Sequence, residues 1–373
     1  MSRLATSLVV LAAAAGSAPA FAADWNSASP EDIYRGAYSV EPQDWTELGD
    51  DSDGIHMETG LRYWYSMGSQ THHVGSAGDF EESDTAHTLE GHIRIEDDAT
   101  STYGKAWAGY TAAINGTYSD PYGSADVVDG VLGYAGADFG WNAISDNKGN
   151  GAGFFIGYNY WNNSPRTARA NYAEVETIDY DDQTGVWSIG GASVDDRIEL
   201  NMLRLGISGK AKISDYFDIS AEVAAVPFAT ISGVIGGHAI MGSDEPGQYP
   251  GCSDPDPALC APYFFKTSPT EVNGWGYGAM GELMAGITPA ENITFRIGGR
   301  AWYVGGTYDA TYSGAEVTPP IYQEIEDPDN PGTFIPADPP YSEPSVATED
   351  FIETANPFSL FRYGLLAELT YKF

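Results

Sequence analysis

From residue 55 to the end of the chain, apolar and polar side chains alternate with a period of two, and no stretch carries a helical stripe. In the segment 55–68, Met57, Leu61, Tyr63, Tyr65 and Met67 share one face, while His56, Glu58, Arg62 and Trp64 share the other. The segment 292–308 sets Ile293, Phe295, Ile297 and Tyr303 against Arg296 and Arg300. The last one sets Phe361, Tyr363, Leu365, Leu369, Tyr371 and Phe373 against Arg362, Glu368 and Lys372. One such strand would fit a soluble sheet. Repetition at this length does not, because globular strands run about 5–6 residues and a tilted membrane crossing takes about 9–11. In a membrane barrel the apolar face meets lipid and the polar face lines the interior.

The pattern therefore predicts an all-β chain, a transmembrane antiparallel up-and-down β-barrel of about ten strands. They lie near 55–68, 85–97, 103–117, 126–142, 152–163, 198–214, 217–232, 273–288, 292–308 and 357–373. The fourth is irregular, since Leu132 and Tyr134 have the opposite parity from Phe139 and Trp141. Gaps at 98–102, 143–151, 215–216 and 289–291 are short, and those at 69–84, 118–125, 164–197, 233–272 and 309–356 are mostly long. Short periplasmic turns and long outer loops are the outer-membrane arrangement, and an even count puts both chain ends on the periplasmic side. Twelve strands result if Tyr172–Ile178 and Gly185–Ile189 form a hidden hairpin. The eight prolines between Pro319 and Pro344 predict an extended, irregular last loop. The terminal Phe373, closing an alternating strand, reads as a signal to the barrel-assembly machinery.

Residues 1–22 read as a signal peptide, with Arg3, the apolar run Leu8–Ala15 and the small-x-small site Ala20-Phe21-Ala22. Residues 23–54 then form a polar periplasmic lead and 55–373 the barrel. Export to the Gram-negative outer membrane, against lipid and lipopolysaccharide, is the expected localisation. Cys252 and Cys260 fit one local disulfide in an oxidising compartment. The 373-residue chain has 53 Asp+Glu against 17 Lys+Arg, a net charge of −36. That excludes a nucleic-acid partner, whose phosphates require Lys and Arg. The acids gather in the outer loops and the lead, so cations or basic peptides are the expected partners of the crown.

Inward positions carry charges of both signs. Glu58, Arg62, Glu90, Arg94, Glu222, Glu282, Arg296, Arg300, Arg362 and Glu368 form the expected lumen charge network, with His92, Glu96 and Arg204 on the same face. A ten-stranded barrel is narrow enough for such side chains to fill it. Phosphate-loop, dinucleotide, zinc-protease and nucleophile-elbow motifs are all lacking, so no cofactor and no metal site is expected. His72 and His73, beside Glu81 and Glu82, are read as ordinary loop residues.

Several stretches resemble the omptins, outer-membrane endoproteases. Gly109–Asp120 resembles that family's third strand, Gly153–Trp161 its fifth, and Leu203–Gly233 its sixth and seventh with their Asp-Tyr-Phe turn. Gly278–Tyr303 and Arg362–Phe373 resemble its last three strands. The resemblance implies a catalytic Asp pair facing an Asp-His pair. It puts Asp120 and His238 at two of the four places, with Tyr122 and Gly236 at the others, and Asp126 or Asp129 as substitute carboxylates. A general base works only within hydrogen-bond reach and correctly held. The expected function is therefore a non-enzymatic barrel, omptin-like in architecture, with a structural or binding role. An omptin-type aspartate/histidine endopeptidase cleaving near basic residues is the first alternative, and a small cation-preferring channel the second.

Overall fold

Ten long strands follow one another around a ring. The structure, a computed structural model, describes residues 54–75, 78–121, 123–145, 150–166, 170–181, 186–188, 190–235, 263–318, 320 and 322–373. The signal peptide and nearly all of the lead, Tyr122, Gly236, His238, Cys252 and Cys260 lie outside them. The strands are β1 (Ile55–Val74), β2 (Gly78–Asp97), β3 (Thr102–Asp120), β4 (Gly130–Ser145) and β5 (Gly151–Pro165). They continue as β6 (Arg197–Ser214), β7 (Phe217–Ile235), β8 (Thr270–Ala290), β9 (Ile293–Thr318) and β10 (Ser345–Lys372). Each pairs antiparallel with the next. β10 pairs with β1, Arg62 opposite Glu368, and closes the barrel. Closure gives each of the ten strands a paired neighbour on both sides within the belt, as a chain surrounded by hydrocarbon requires.

The outward face carries the lipid belt. Leu61, Leu89, Phe139, Phe154, Ile207, Leu283, Ile297 and Leu365 are all exposed. Tyr63, Tyr65, Tyr277, Tyr303 and Tyr363 stand at one margin of this belt, and Trp141, Tyr216, Tyr371 and Phe373 at the other. Beyond the first margin the outward residues turn polar: Ser69, Thr71 and His73 on β1, then Asp79, Glu81 and Ser83 on β2. The strands nevertheless run on, so β9 has 26 residues and β10 has 28. What sustains them above the membrane is an exchange of faces. On β6 the apolar residues are Leu203, Leu205 and Ile207 outward within the belt, but Ile198, Leu200 and Met202 inward above it. The irregular fourth strand has the same cause. Phe139 and Trp141 face lipid, whereas Leu132 and Tyr134 are buried in the barrel.

Two expectations need correction. The first outer gap is not a long loop, because β1 and β2 pair continuously from Ile55–Asp97 to Val74–Gly78. Inward Val74 and Phe80, both buried, support this hairpin above the belt. The proline-rich last connection is not irregular throughout; Tyr322–Glu326 pairs with Phe334–Tyr341. Short strands also occur between β5 and β6, where Ala170–Ala173 pairs with Gly191–Val194 and Asp179–Asp181 with Val186–Ser188. They stand outside the ring, which stays at ten. Gly123–Val127 and Tyr263–Lys266 lengthen the sheet at the outer ends of β3 and β9.

Candidate functional site

The lumen is filled in three layers. At the short-turn end lies an ionic layer. Arg300 of β9 crosses to Glu90 of β2, with Nη1 2.6 Å from Oε2 and Nη2 3.2 Å from Oε1, and its Nε donates to Glu282 Oε2 at 2.9 Å. Arg62 reaches Glu90 at 3.0 Å and Glu282 at 3.4 Å, and its Nε donates to Glu368. Arg296 contacts Glu368 at 2.7 Å, Glu58 at 3.1 Å and Asp218 at 3.3 Å. Arg204 joins Asp138 at 3.0 Å to Glu222 at 2.7 Å, and Lys105 also holds Glu222, at 2.9 Å. Each guanidinium fork serves two or three carboxylates, the arrangement that offsets the desolvation of buried charge.

The assignment of partners differs in places from the sequence reading. Arg94 pairs with Glu96 of its own strand, at 2.6 Å. Arg362 pairs with Asp84, two strands away, and donates to Ser66 Oγ at 3.1 Å. Lys105, Asp84 and Asp138 were missed, although each has inward parity on its strand, and Asp218, on the same polar face as Glu222, was left out of the expected network.

Above the ions stands an aromatic layer of Trp64, Tyr134, Trp161 and Trp302, with ring centroids 4.9–6.5 Å apart. Arg300 underlies Trp64 at 5.2 Å and Trp302 at 5.5 Å, and Arg362 lies 5.5 Å from Trp161, so cations cap the ring faces on both sides. Tyr134 OH donates to Glu90 Oε2 at 2.7 Å and links the two layers. Its ring occupies space that only a glycine leaves: a Cβ on Gly109 would come within 2.4 Å of it.

The third layer, above the belt, is an apolar core of Phe80, Leu132, Ile198, Leu200, Met202, Ile231, Val272, Val304, Phe358 and Leu360. One polar group is enclosed in it. Gln70 Nε2 lies 2.9 Å from His72 Nε2 and donates to Glu82 Oε2 at 3.5 Å, while Asn163 Nδ2 donates to the same oxygen at 2.9 Å. Burial, with Asp84 nearby, pushes the Glu82 carboxyl up to about 8, and burial pushes His72 down to about 3. Alternation separates the two adjacent histidines. His72 points in, and His73 points out to Asp79 at 2.8 Å.

The candidate catalytic carboxylates lie at the outer end of this core. Asp120 ends β3 on the lumen side, half-buried. Asp126, opposite Thr117, is exposed on the other face. Asp129 is exposed and ion-paired with Arg166 at 2.7 Å. Among the described residues the large cavity is at the opposite end. It measures 650 Å³, opens at the short-turn rim, and is lined by Glu58, His92, Lys105, Lys210, Arg296 and Lys372 among others.

No protein-family model matches the chain, and no curated protein does. Among solved structures it is similar to the outer-membrane protease OmpT from Escherichia coli, with 11% identity, 86% of this chain and 97% of that one covered, and a TM-score of 0.50. The translocator domain of the autotransporter NalP from Neisseria meningitidis has 10% identity, with 88% and 91% covered and a TM-score of 0.32. The toluene transporter TodX of Pseudomonas putida has 9% identity, with 86% and 90% covered and a TM-score of 0.25. At such identity the likeness is one of fold, and with the lipid belt and the closed ring it makes this chain an outer-membrane β-barrel.

Proposed function

We propose that the protein is a sealed, non-enzymatic surface barrel whose acidic crown engages cations or basic peptides. The observation that carries this reading is the continuous filling of the lumen by ionic, aromatic and apolar layers. A solute pathway needs a polar bore, and here, above the cavity at the short-turn rim, side chains occupy it from the Arg300–Glu90 pair to Phe358. The signs of charge in the lumen roughly balance, so most of the net −36 falls elsewhere, where it attracts cationic partners. The belt sits against lipid and lipopolysaccharide. Phe373, exposed at the end of the chain, is available to the assembly machinery.

A proteolytic reading has two observations in its favour: OmpT is an outer-membrane protease sharing the fold, and Asp120 lies at the lumen side of the outer rim. Against it, Asp126 and Asp129 point away or are engaged. Planar-bilayer recording and incubation with dibasic peptides separate the readings. A sealed binding barrel gives no steady conductance and leaves the peptides whole. Steady conductance means a channel, and cleavage abolished by His238→Ala means an endopeptidase.

A further inference from the structure

Glu58 of β1, His92 of β2 and Glu368 of β10 meet at the inner wall of the periplasmic cavity, their donor atoms all within 4.8 Å of one another. The three strands are neighbours, so backbone pairing fixes the spacing of the three donors. His92 is 94% buried yet neither ring nitrogen has a hydrogen-bond partner, and its Nε2 lies 4.0 Å from Glu58 Oε1. Packing holds the ring instead, since a Cβ on Gly60 would fall 2.5 Å from His92 Cε1.

A buried imidazole without a partner is costly unless something else completes it. What stands between the carboxylates is a guanidinium. Arg296 Nη1 donates to Glu58 Oε1 at 3.1 Å and to Glu368 Oε1 at 2.7 Å. Its Nε already donates to a third carboxylate, Asp218 Oδ1, at 3.3 Å. Glu368 Oε2 is held by Arg62, and Glu58 Oε2 lies 3.8 Å from Lys372 Nζ, so each carboxylate is steadied through its second oxygen.

We propose that Glu58, His92 and Glu368 form a binding site for a divalent first-row transition metal, entered from the periplasmic cavity, with Arg296 as the resident cation that the metal displaces. One imidazole and two carboxylates are a borderline donor set, suited to Zn²⁺ rather than to Ca²⁺ or Mg²⁺. Tetrahedral ligands at about 2.1 Å from zinc stand about 3.4 Å apart, so donors within 4.8 Å of one another close by up to about 1.4 Å on binding. The fourth position faces the cavity and takes water. As the metal enters, Arg296 gives up Glu58 and Glu368 and keeps Asp218, so each acid still has a cation.

The test uses the refolded full-length barrel, freed of metal and titrated calorimetrically with Zn²⁺, with Co²⁺ absorption as a second readout. Wild type takes up one equivalent. His92→Ala weakens binding by about 100-fold or more, as loss of a ligand should exceed the 10–100-fold typical of outer-shell changes. His56→Ala, His73→Ala and His238→Ala leave it unchanged, which sets the site apart from these other histidines. Arg296→Gln tightens binding, a result that no merely structural role of His92 would produce. Heat-modifiable migration checks that each variant is folded, and Glu58→Gln replaces His92→Ala if that variant is not. Absence of wild-type binding overturns the proposal, as does binding that survives His92→Ala or weakens in Arg296→Gln.

Discussion

Arg300 and Glu90 are joined by two hydrogen bonds across the lumen, at 2.6 and 3.2 Å, although 210 residues separate them and three strand pairings lie between their strands. Such a pair acts as a cross-brace. Pairing between neighbouring strands fixes local register, but only contacts across the interior resist deformation of the ring.

Removing both members of the brace should cost less than the two single removals added together. Glu90→Gln leaves Arg300 and Arg62 short of a counter-charge in a buried layer, and the expected loss is about 3–5 kcal/mol. The double change of Glu90→Gln with Arg300→Met should cost less than the sum of the two single changes. Urea unfolding in lipid vesicles, followed by tryptophan fluorescence, measures each term. Additivity of the two changes would mean that the pair does not interact.

The aromatic layer is one seal of three, and its loss should weaken the barrel without opening it. Trp302→Ala removes a ring within 4.9–5.3 Å of three others, at an expected cost of about 3–5 kcal/mol. The apolar core above and the ion pairs below remain, so bilayer recordings should stay silent. Steady conductance from this variant would identify the four rings as the sole barrier.

The enclosed Glu82 should make the outer half pH-sensitive. Its carboxyl is pushed up to about 8, so the folded state favours the protonated form, and its stabilising contribution is fully present below the usual 4.5 and is lost as pH rises through 8. His72, pushed down to about 3, acts oppositely, favouring the fold above 6.5 and opposing it as pH falls from there. Between pH 6.5 and 8, therefore, Glu82 dominates this pair, with stability falling by up to about 1.4 kcal/mol per pH unit. Glu82→Gln should flatten that slope in thermal unfolding scans. An unchanged slope would place the sensitivity elsewhere.

Much of this molecule was legible because lipid imposes a two-residue period on every crossing. Leu61, Tyr63 and Tyr65 opposite Arg62 and Trp64 state the geometry of β1 outright. What the period could not reveal was where lipid ends. Leu200 and Leu203 are equally apolar and of opposite parity, one filling the core above the membrane and the other facing acyl chains, and the period alone does not mark the height on β6 at which the apolar face changes sides. The same blindness turned the β1–β2 hairpin into a loop. Partner choice was illegible for a different reason. Inward parity identifies Arg362 as a lumen residue, but its pairing with Asp84 depends on the stagger between β10, β1 and β2. Asp120 was placed at the rim by resemblance, and the outward turn of Asp126 follows from its pairing with Thr117, which the sequence does not display.

The proposed acidic crown should reveal itself through salt. If the surface acids recruit basic ligands by their summed field, an unstructured lysine-rich peptide should associate rapidly at low ionic strength. The association should slow steeply as the Debye length shrinks from about 30 Å at 0.01 M to about 8 Å at 0.15 M. Dissociation should change much less, because long-range steering acts on encounter rather than on the contact once made. Stopped-flow fluorescence with a labelled peptide and vesicle-embedded barrel separates the two rates. The peptide should be recovered intact, and His238→Ala should leave both rates unchanged. Salt-independent association would remove the crown from the recognition step, and cleaved peptide would return Asp120 and His238 to the centre of the question.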